Sequence, residues 1–329
     1  MKKYIAVFAA LLLLSALLPA PEAAAERELS IVTTIFPEYD WVMEILGENA
    51  PNVQVTMLLD NGVDLHSYQP NVKDMVTLST CDLFLYVGGE SDSWVDDALA
   101  GATNKNMIVI NLLEVLGENA KEELLVEGME HSHEEEEHHE EAHAEEDHEH
   151  EAELDEHVWL SLRNASLFCQ AIRDALITLD PENEELYRAN TEDYLEELSR
   201  LDDAFAAAVA EGSQDTLLFG DRFPFRYLTD DYGLQYYAAF SGCSAETEAS
   251  FETVIFLANK LDELGLHTVM TLEGSDGKLA QTIISTAKAD ADILCLDSMQ
   301  STTKKDVQEG AKYLAIMEKN LDVLAQALR

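Results

Sequence analysis

The feature that most constrains the fold is an alternation of short apolar runs with helical stretches, which occurs twice. Leu29–Thr34, Val53–Leu59, Leu83–Val87 and Met107–Ile110 read as short strands, with helical spacing over Phe36–Leu46 and Val72–Leu78. The rhythm returns at Thr216–Phe219, Leu234–Phe240, Thr268–Leu272 and Ile293–Leu296, with helical spacing over Phe251–Leu264 and Val307–Leu328. Short, fully apolar strands between helices indicate parallel sheets covered on both faces. Between the halves runs one amphipathic stretch. Asp180 is placed to cap it, Pro181 to open it and Gly212 to stop it. Tyr187, Tyr194, Leu198, Leu201, Phe205 and Ala208 recur along one face. At 1.5 Å per residue its ~30 residues span roughly 45 Å. The expected fold is α/β: two Rossmann-like lobes with parallel sheets, joined by one long connecting helix that restricts hinge motion.

The expected divisions are an export signal (1–25), a first lobe (26–179), the connecting helix (180–212) and a second lobe (213–329). The signal has Lys2 and Lys3, an apolar run from Ile5 to Leu18 too short to span a bilayer comfortably, and Ala23–Ala25 as a small-residue cleavage site. The first cysteine is Cys81, so no cysteine stands near that site for lipid attachment. These features place the mature protein outside the cytoplasm, in a periplasm or secreted. Four widely spaced cysteines (Cys81, Cys169, Cys243, Cys295) contain no CxxC pair and leave three full disulfide pairings open.

With 65 acidic against 20 basic residues the net charge is -45. That balance opposes nucleic acid and anionic membranes as partners and favours cations. Residues 130–156 hold seven histidines, fifteen acidic residues and no Lys or Arg. Such a tract cannot build a core and reads as a disordered or loosely helical insertion. Its imidazoles (His131, His133, His138, His139, His143, His148 and His150) are suited to many weak metal sites. His139–His143 matches HExxH formally, but its charged flanks offer no apolar face to bury a zinc-protease helix.

Two further histidines have distinctive surroundings. His66 lies in Gly62-Val63-Asp64-Leu65-His66-Ser67-Tyr68-Gln69-Pro70, after the second strand, where open α/β sheets place ligands. His157 lies in Asp155-Glu156-His157-Val158-Trp159-Leu160, directly after the tract. In this order, with the intervening loop, these segments resemble the metal-binding proteins of zinc and manganese ABC importers, the cluster A-I solute-binding family. Leu65 and Glu156 stand where that family usually has proline, a departure that touches loop rigidity. The resemblance covers Leu29–Arg329. It implies a non-enzymatic, monomeric binding protein that captures Zn²⁺ (alternatively Mn²⁺) between two lobes and passes it to a membrane permease.

The resemblance also implies the ligands: His66, His157, a third residue that is His or Glu in the family, and an aspartate ending a late strand. No histidine is present in Phe219–Tyr227. Counting back from Tyr232 reaches Arg222, which cannot bind a cation, and Asp221 stands beside it. Asp221 is the candidate third ligand, with a helix-capping role as its alternative and water, Glu246 or Glu248 as substitutes. Asp297 fits the fourth place, and Glu273 an outer position that orients ligands. A secreted zinc hydrolase and a storage or adhesion protein are the rival readings.

Overall fold

The computed structural model describes residues 28–47, 52–129, 153–244 and 248–329. The expected export signal, the tract histidines from His131 to His150 and Glu246 lie outside the described residues.

The first sheet contains β1 (Leu29–Thr33), β2 (Val53–Met57), β3 (Leu83–Tyr86) and β4 (Ile108–Asn111), all parallel, in the order β2-β1-β3-β4. The second contains β5 (Thr216–Phe223), β6 (Gln235–Ser241), β7 (Thr268–Leu272) and β8 (Asp292–Leu296), also parallel, in the order β6-β5-β7-β8. The two orders are equivalent. In each, the chain reverses its direction of travel across the sheet beside the first strand of that half, which opens a crevice at the strands' carboxyl ends. The α/β architecture expected from the sequence is present in both halves.

The helices are α1 (Phe36–Leu46), α2 (Val72–Thr80), α3 (Val95–Gly101), α4 (Leu112–Leu116), α5 (Leu162–Leu179), α6 (Glu184–Glu211), α7 (Arg226–Tyr232), α8 (Phe251–Leu264), α9 (Lys278–Thr286), α10 (Lys304–Gln308) and α11 (Tyr313–Ala327). The connecting helix is α6, and it starts later than the sequence suggests. Pro181–Asn183 forms a 3-10 turn, and the Asp180 carboxylate accepts from Tyr187 Oη (2.6 Å) and Asn183 Nδ2 (2.7 Å) instead of capping. The expected single helix over Val307–Leu328 is two. Gly310, at φ 96°, ends the first in a conformation that other residues adopt only with strain, and α11 begins at Tyr313.

That break sends α11 back across the molecule. Tyr313 N donates to buried Asp40 Oδ2 (2.8 Å), and its ring meets Trp41 edge-on at 5.2 Å; Trp41 in turn packs on Phe168 at 5.7 Å. One apolar core therefore runs from the first sheet through α1, α5 and α6 into α11 and the inner face of the second lobe. A separate core lies under α8 and α9, built from Leu218, Val254, Leu257, Leu261, Val269 and Ile283.

Candidate metal centre

Of the residues singled out by sequence, His66 lies beyond β2, Glu273 follows β7 and Asp297 follows β8, while His157 precedes a 3-10 turn (Val158–Leu160). His66 sits in a 3-10 turn (Leu65–Ser67) beyond β2, where Asp64 Oδ1 accepts from its backbone N–H at 3.0 Å. Its ring Nδ1 lies 2.8 Å from Ser91 Oγ and 3.3 Å from Glu156 Oε2. Glu156 Oε1 accepts from Ser91 N at 2.9 Å. Gly89, at φ 81°, makes room for this carboxylate: a Cβ there would come within 2.4 Å of Oε1. Burial alone would raise the Glu156 carboxyl, but hydrogen bonds from His66 and Ser91 outweigh it and hold it below its ordinary value. Glu156, which replaces the family's proline, thus contacts the ring of His66 directly.

His157 is fully buried. Asp155 Oδ1 lies 2.9 Å from its backbone N and 3.1 Å from Nδ1. The segment is clamped from the other lobe. Tyr227 Oη donates to Asp155 O (3.1 Å), Trp159 Nε1 donates to Ser298 O (2.9 Å), and Tyr313 Oη donates to Trp159 O (2.7 Å).

The two imidazoles meet with Nε2 atoms 3.2 Å apart. With the ring protons on Nδ1, beside Glu156 for His66 and Asp155 for His157, both Nε2 lone pairs face the same point, which is the tautomer that cation binding requires. The Gln300 carboxamide closes the group: with its nitrogen toward Asp64 Oδ2 (2.7 Å), its oxygen accepts from His157 Nε2 at 2.8 Å, a proton that a bound cation would replace. A cation between the rings takes the place of the proton held there. Two nitrogens each 2.0–2.1 Å from a tetrahedral zinc ion stand ~3.3 Å apart, so the spacing fits that ion. Asp155→Asn is expected to lower zinc affinity ~10- to 100-fold by loosening the tautomer and ring orientation of His157. Chelator competition checks this, and unchanged affinity would show that Asp155 does not orient the ring.

The candidate carboxylates are placed differently. Asp221 lies inside β5, at a register shift between Phe219 and Arg222. Its carboxylate accepts from Arg222 N (2.9 Å) and from Leu272 N of β7 (3.2 Å). It ties two strands together and caps no helix. Asp297 Oδ1 accepts from Met299 N at 2.8 Å, and burial raises its carboxyl. Neither belongs to the cluster: among the described residues the potential metal donors grouped in three or more are His66, His157 and Cys243, with all donor atoms within 4.8 Å of one another. Glu273 accepts from Ser298 N and Oγ, both at 2.7 Å, and from Gln300 N at 3.2 Å. It holds the strand-end segment that carries Gln300. Glu248 lines the neighbouring interlobe cleft of about 890 Å³, together with Asp221 and Glu273.

Arg222, at the place where the family has its third ligand, reaches across that cleft. Its Nη2 lies 2.8 Å from Asp64 Oδ2 and Nη1 donates to Ser244 O at 3.5 Å. Burial would raise the Asp64 carboxyl, but the charge of Arg222, with hydrogen bonds from its guanidinium and from the His66 backbone N–H, brings it below its ordinary value. Sequence reasoning missed Cys243, Gln300, Ser91 and the interlobe pair. Only Asp64 and Asp155 carried a local signal, as acidic neighbours two positions before each histidine.

Two parallel α/β lobes with a pair of imidazoles brought together at their junction are the features against which the relatives stand. Residues 31–327 match the model of the family described as zinc-uptake complex component A, periplasmic (ZnuA), and the chain belongs to that family. It is 31% identical over 331 residues to the zinc-binding lipoprotein AdcA of Streptococcus pneumoniae serotype 4, covering 99% of this chain and 61% of that protein. It is 28% identical over 301 residues to the high-affinity zinc uptake system protein ZnuA of Bacillus subtilis, covering 92% and 88%. The fold is similar to the crystal structure of the Zn(II)-bound ZnuA-like domain of S. pneumoniae AdcA, with TM-score 0.68, 28% identity and coverage of 92% and 99%. The chain spans 57% of the length of the Streptococcus pyogenes AdcA proteins that it also matches.

Proposed function

We propose that this protein captures Zn²⁺ outside the cytoplasm between its two lobes and delivers it to the membrane permease of an ABC importer. The observation that carries the reading is the imidazole pair, 3.2 Å apart at Nε2, each ring with a buried carboxylate within 3.3 Å of its Nδ1. No covalent step is needed, since capture requires only ligands that converge. Imidazole donors favour zinc over manganese, which prefers oxygen ligands. His66 and His157 are the principal ligands in this reading. Asp221 and Asp297 serve it as nearby carboxylates that lower the potential of the cleft, and Glu273 as the residue that positions Gln300. Membership of the zinc-uptake family and the zinc-binding activity named for its relatives support the same assignment.

Elemental analysis with competitive zinc and manganese titration of the purified protein tests it. One tight zinc equivalent that manganese displaces poorly is expected. Tight manganese with weak zinc would overturn the metal assignment, and hydrolysis of peptides or esters by the loaded protein would favour the hydrolase rival.

The histidine tract is read as a reservoir feeding this centre, because it joins directly to the segment bearing His157. Deleting residues 130–153 is expected to remove several weak zinc sites and leave the tight one. Solvated imidazoles protonate near pH 6.5 as a reference, so the weak sites empty first on mild acidification. Calorimetric titration of both forms checks this, and equal stoichiometry would refute the reservoir.

A further inference from the structure

We propose that Cys243 is the third protein ligand of the ion held by His66 and His157, which makes the centre an imidazole–imidazole–thiolate site selective for zinc over manganese. The inference rests on the capture function proposed above and adds a donor chemistry that the family's His or Glu does not have.

The geometry starts with Gly242. β6 ends at Ser241, and the next residue passes so close to His157 that a Cβ would lie 2.7 Å from its Cε1 and 2.9 Å from Phe223 O. Only a residue without a side chain lets the chain pass there, and the following residue then stands beside the two ring nitrogens. The Cys243 backbone N–H donates to Glu123 Oε1 at 3.2 Å, which fixes the turn. Its sulfur and both imidazoles place one donor atom each within 4.8 Å of one another. On a tetrahedral zinc ion, with Zn–N of 2.0–2.1 Å and Zn–S of 2.3 Å, nitrogen and sulfur stand ~3.5 Å apart, so the donors need approach by no more than ~1.3 Å from the 4.8 Å bound.

The remaining candidates point the same way. Asp221 and Asp297 are engaged with backbone N–H groups, and Arg222 fills the place of the family's third ligand. Cys243 forms no disulfide. Cys81 and Cys169 are buried elsewhere, and Cys295 lies in β8 outside the cluster. His66 belongs to the first lobe and Cys243 to the second, so an ion bound to both ties the lobes together. A thiolate partly neutralises the dication, and its proton passes to solvent as the S–Zn bond forms. Thiolate suits zinc and cadmium and disfavours manganese.

Cobalt(II) titration of the full chain tests the assignment, because a cobalt–thiolate bond gives a near-ultraviolet sulfur-to-metal charge-transfer band that histidine and carboxylate sites lack. The tract contains no cysteine and is silent in this readout. The band is expected to saturate at one equivalent, to vanish in Cys243→Ser and to persist in Cys295→Ser. Cys243→Ser should also weaken zinc ~100-fold while leaving manganese affinity nearly unchanged. Cys243→His should restore tight zinc without the band, which separates ligand loss from misfolding. Tight cobalt that depends on His66 but shows no sulfur band would overturn the thiolate and leave the capture function standing. Absence of any tight cobalt or zinc would overturn both.

Discussion

Replacing either histidine is expected to abolish tight zinc binding, and the two replacements should differ in their effect on folding. Apparent binding energies at zinc centres of about 10–16 kcal/mol, shared among four ligands, make one ligand worth about 3 kcal/mol, or ~100-fold or more in Kd. His66 lies in a loop with 11% of its side chain exposed, so His66→Ala removes a ligand and little packing. His157 is fully buried against Trp159, with ring centroids 5.3 Å apart, and its Nδ1 faces buried Asp155. His157→Ala leaves a cavity and an orphaned carboxylate, and should cost a further ~1–3 kcal/mol of stability. Chelator competition and urea melts on both variants separate the effects. Zinc affinity within tenfold of wild type in His66→Ala would refute its role as a ligand.

The second large effect concerns pH. Glu38, fully buried in α1, turns Oε2 back to accept from Thr34 N (2.8 Å), Thr34 Oγ1 (3.1 Å) and Ile35 N (3.3 Å). Burial first, and then the charge of Asp92, push its carboxyl up to about 8 from 4.5, against the pull of those hydrogen bonds. The folded state therefore keeps a proton that the unfolded chain gives up. The resulting stabilisation is fully present below pH 4.5 and is lost as pH rises through about 8. Across that window one retained proton contributes a slope of up to about 1.4 kcal/mol per pH unit. Asp92 and Asp40, raised mainly by burial to about 7 and about 6, act in the same direction. Glu38→Gln keeps an acceptor oxygen and removes the titration. Its stability should fall less steeply with rising pH and exceed that of wild type near pH 9. Denaturant melts across that range check this, and parallel profiles for the two proteins would rule Glu38 out as the source.

Much of the fold was legible because its signals are local. All eight strands lie within about two residues of their apolar runs except β5, which continues four residues past Phe219 through a register shift. Helix α5 went unread although Leu162, Ala165, Phe168, Cys169, Ile172 and Leu176 carry the spacing and Ser161 caps it at Asn164 N, 3.1 Å away. It lay hidden between two more conspicuous features, the tract and the connecting helix. The candidate site divides along the same line. His66 and His157 stand in segments with a recognisable order. Cys243 and Gln300 follow strands in segments with no motif, and only the docking of one lobe on the other brings them to the imidazoles. Pairing of Arg222 with Asp64 is likewise a product of assembly, between residues 158 positions apart.

The core that crosses the molecule through α1, α6 and α11 bears on how cargo leaves. Lobes welded along a shared interior cannot swing apart, so an ion at their junction has no wide exit. Its escape is a matter of local rearrangement: Gln300 turning aside, the Arg222–Asp64 bridge parting, the His66 turn lifting from Ser91. Such a protein unloads slowly by itself. Under the proposed function, turnover would then belong to the acceptor, which would have to compete for the bridge or for the turn beneath it. In the proposed delivery role, docking would act as a catalyst of metal exchange, with tight capture and rapid transfer residing in different partners.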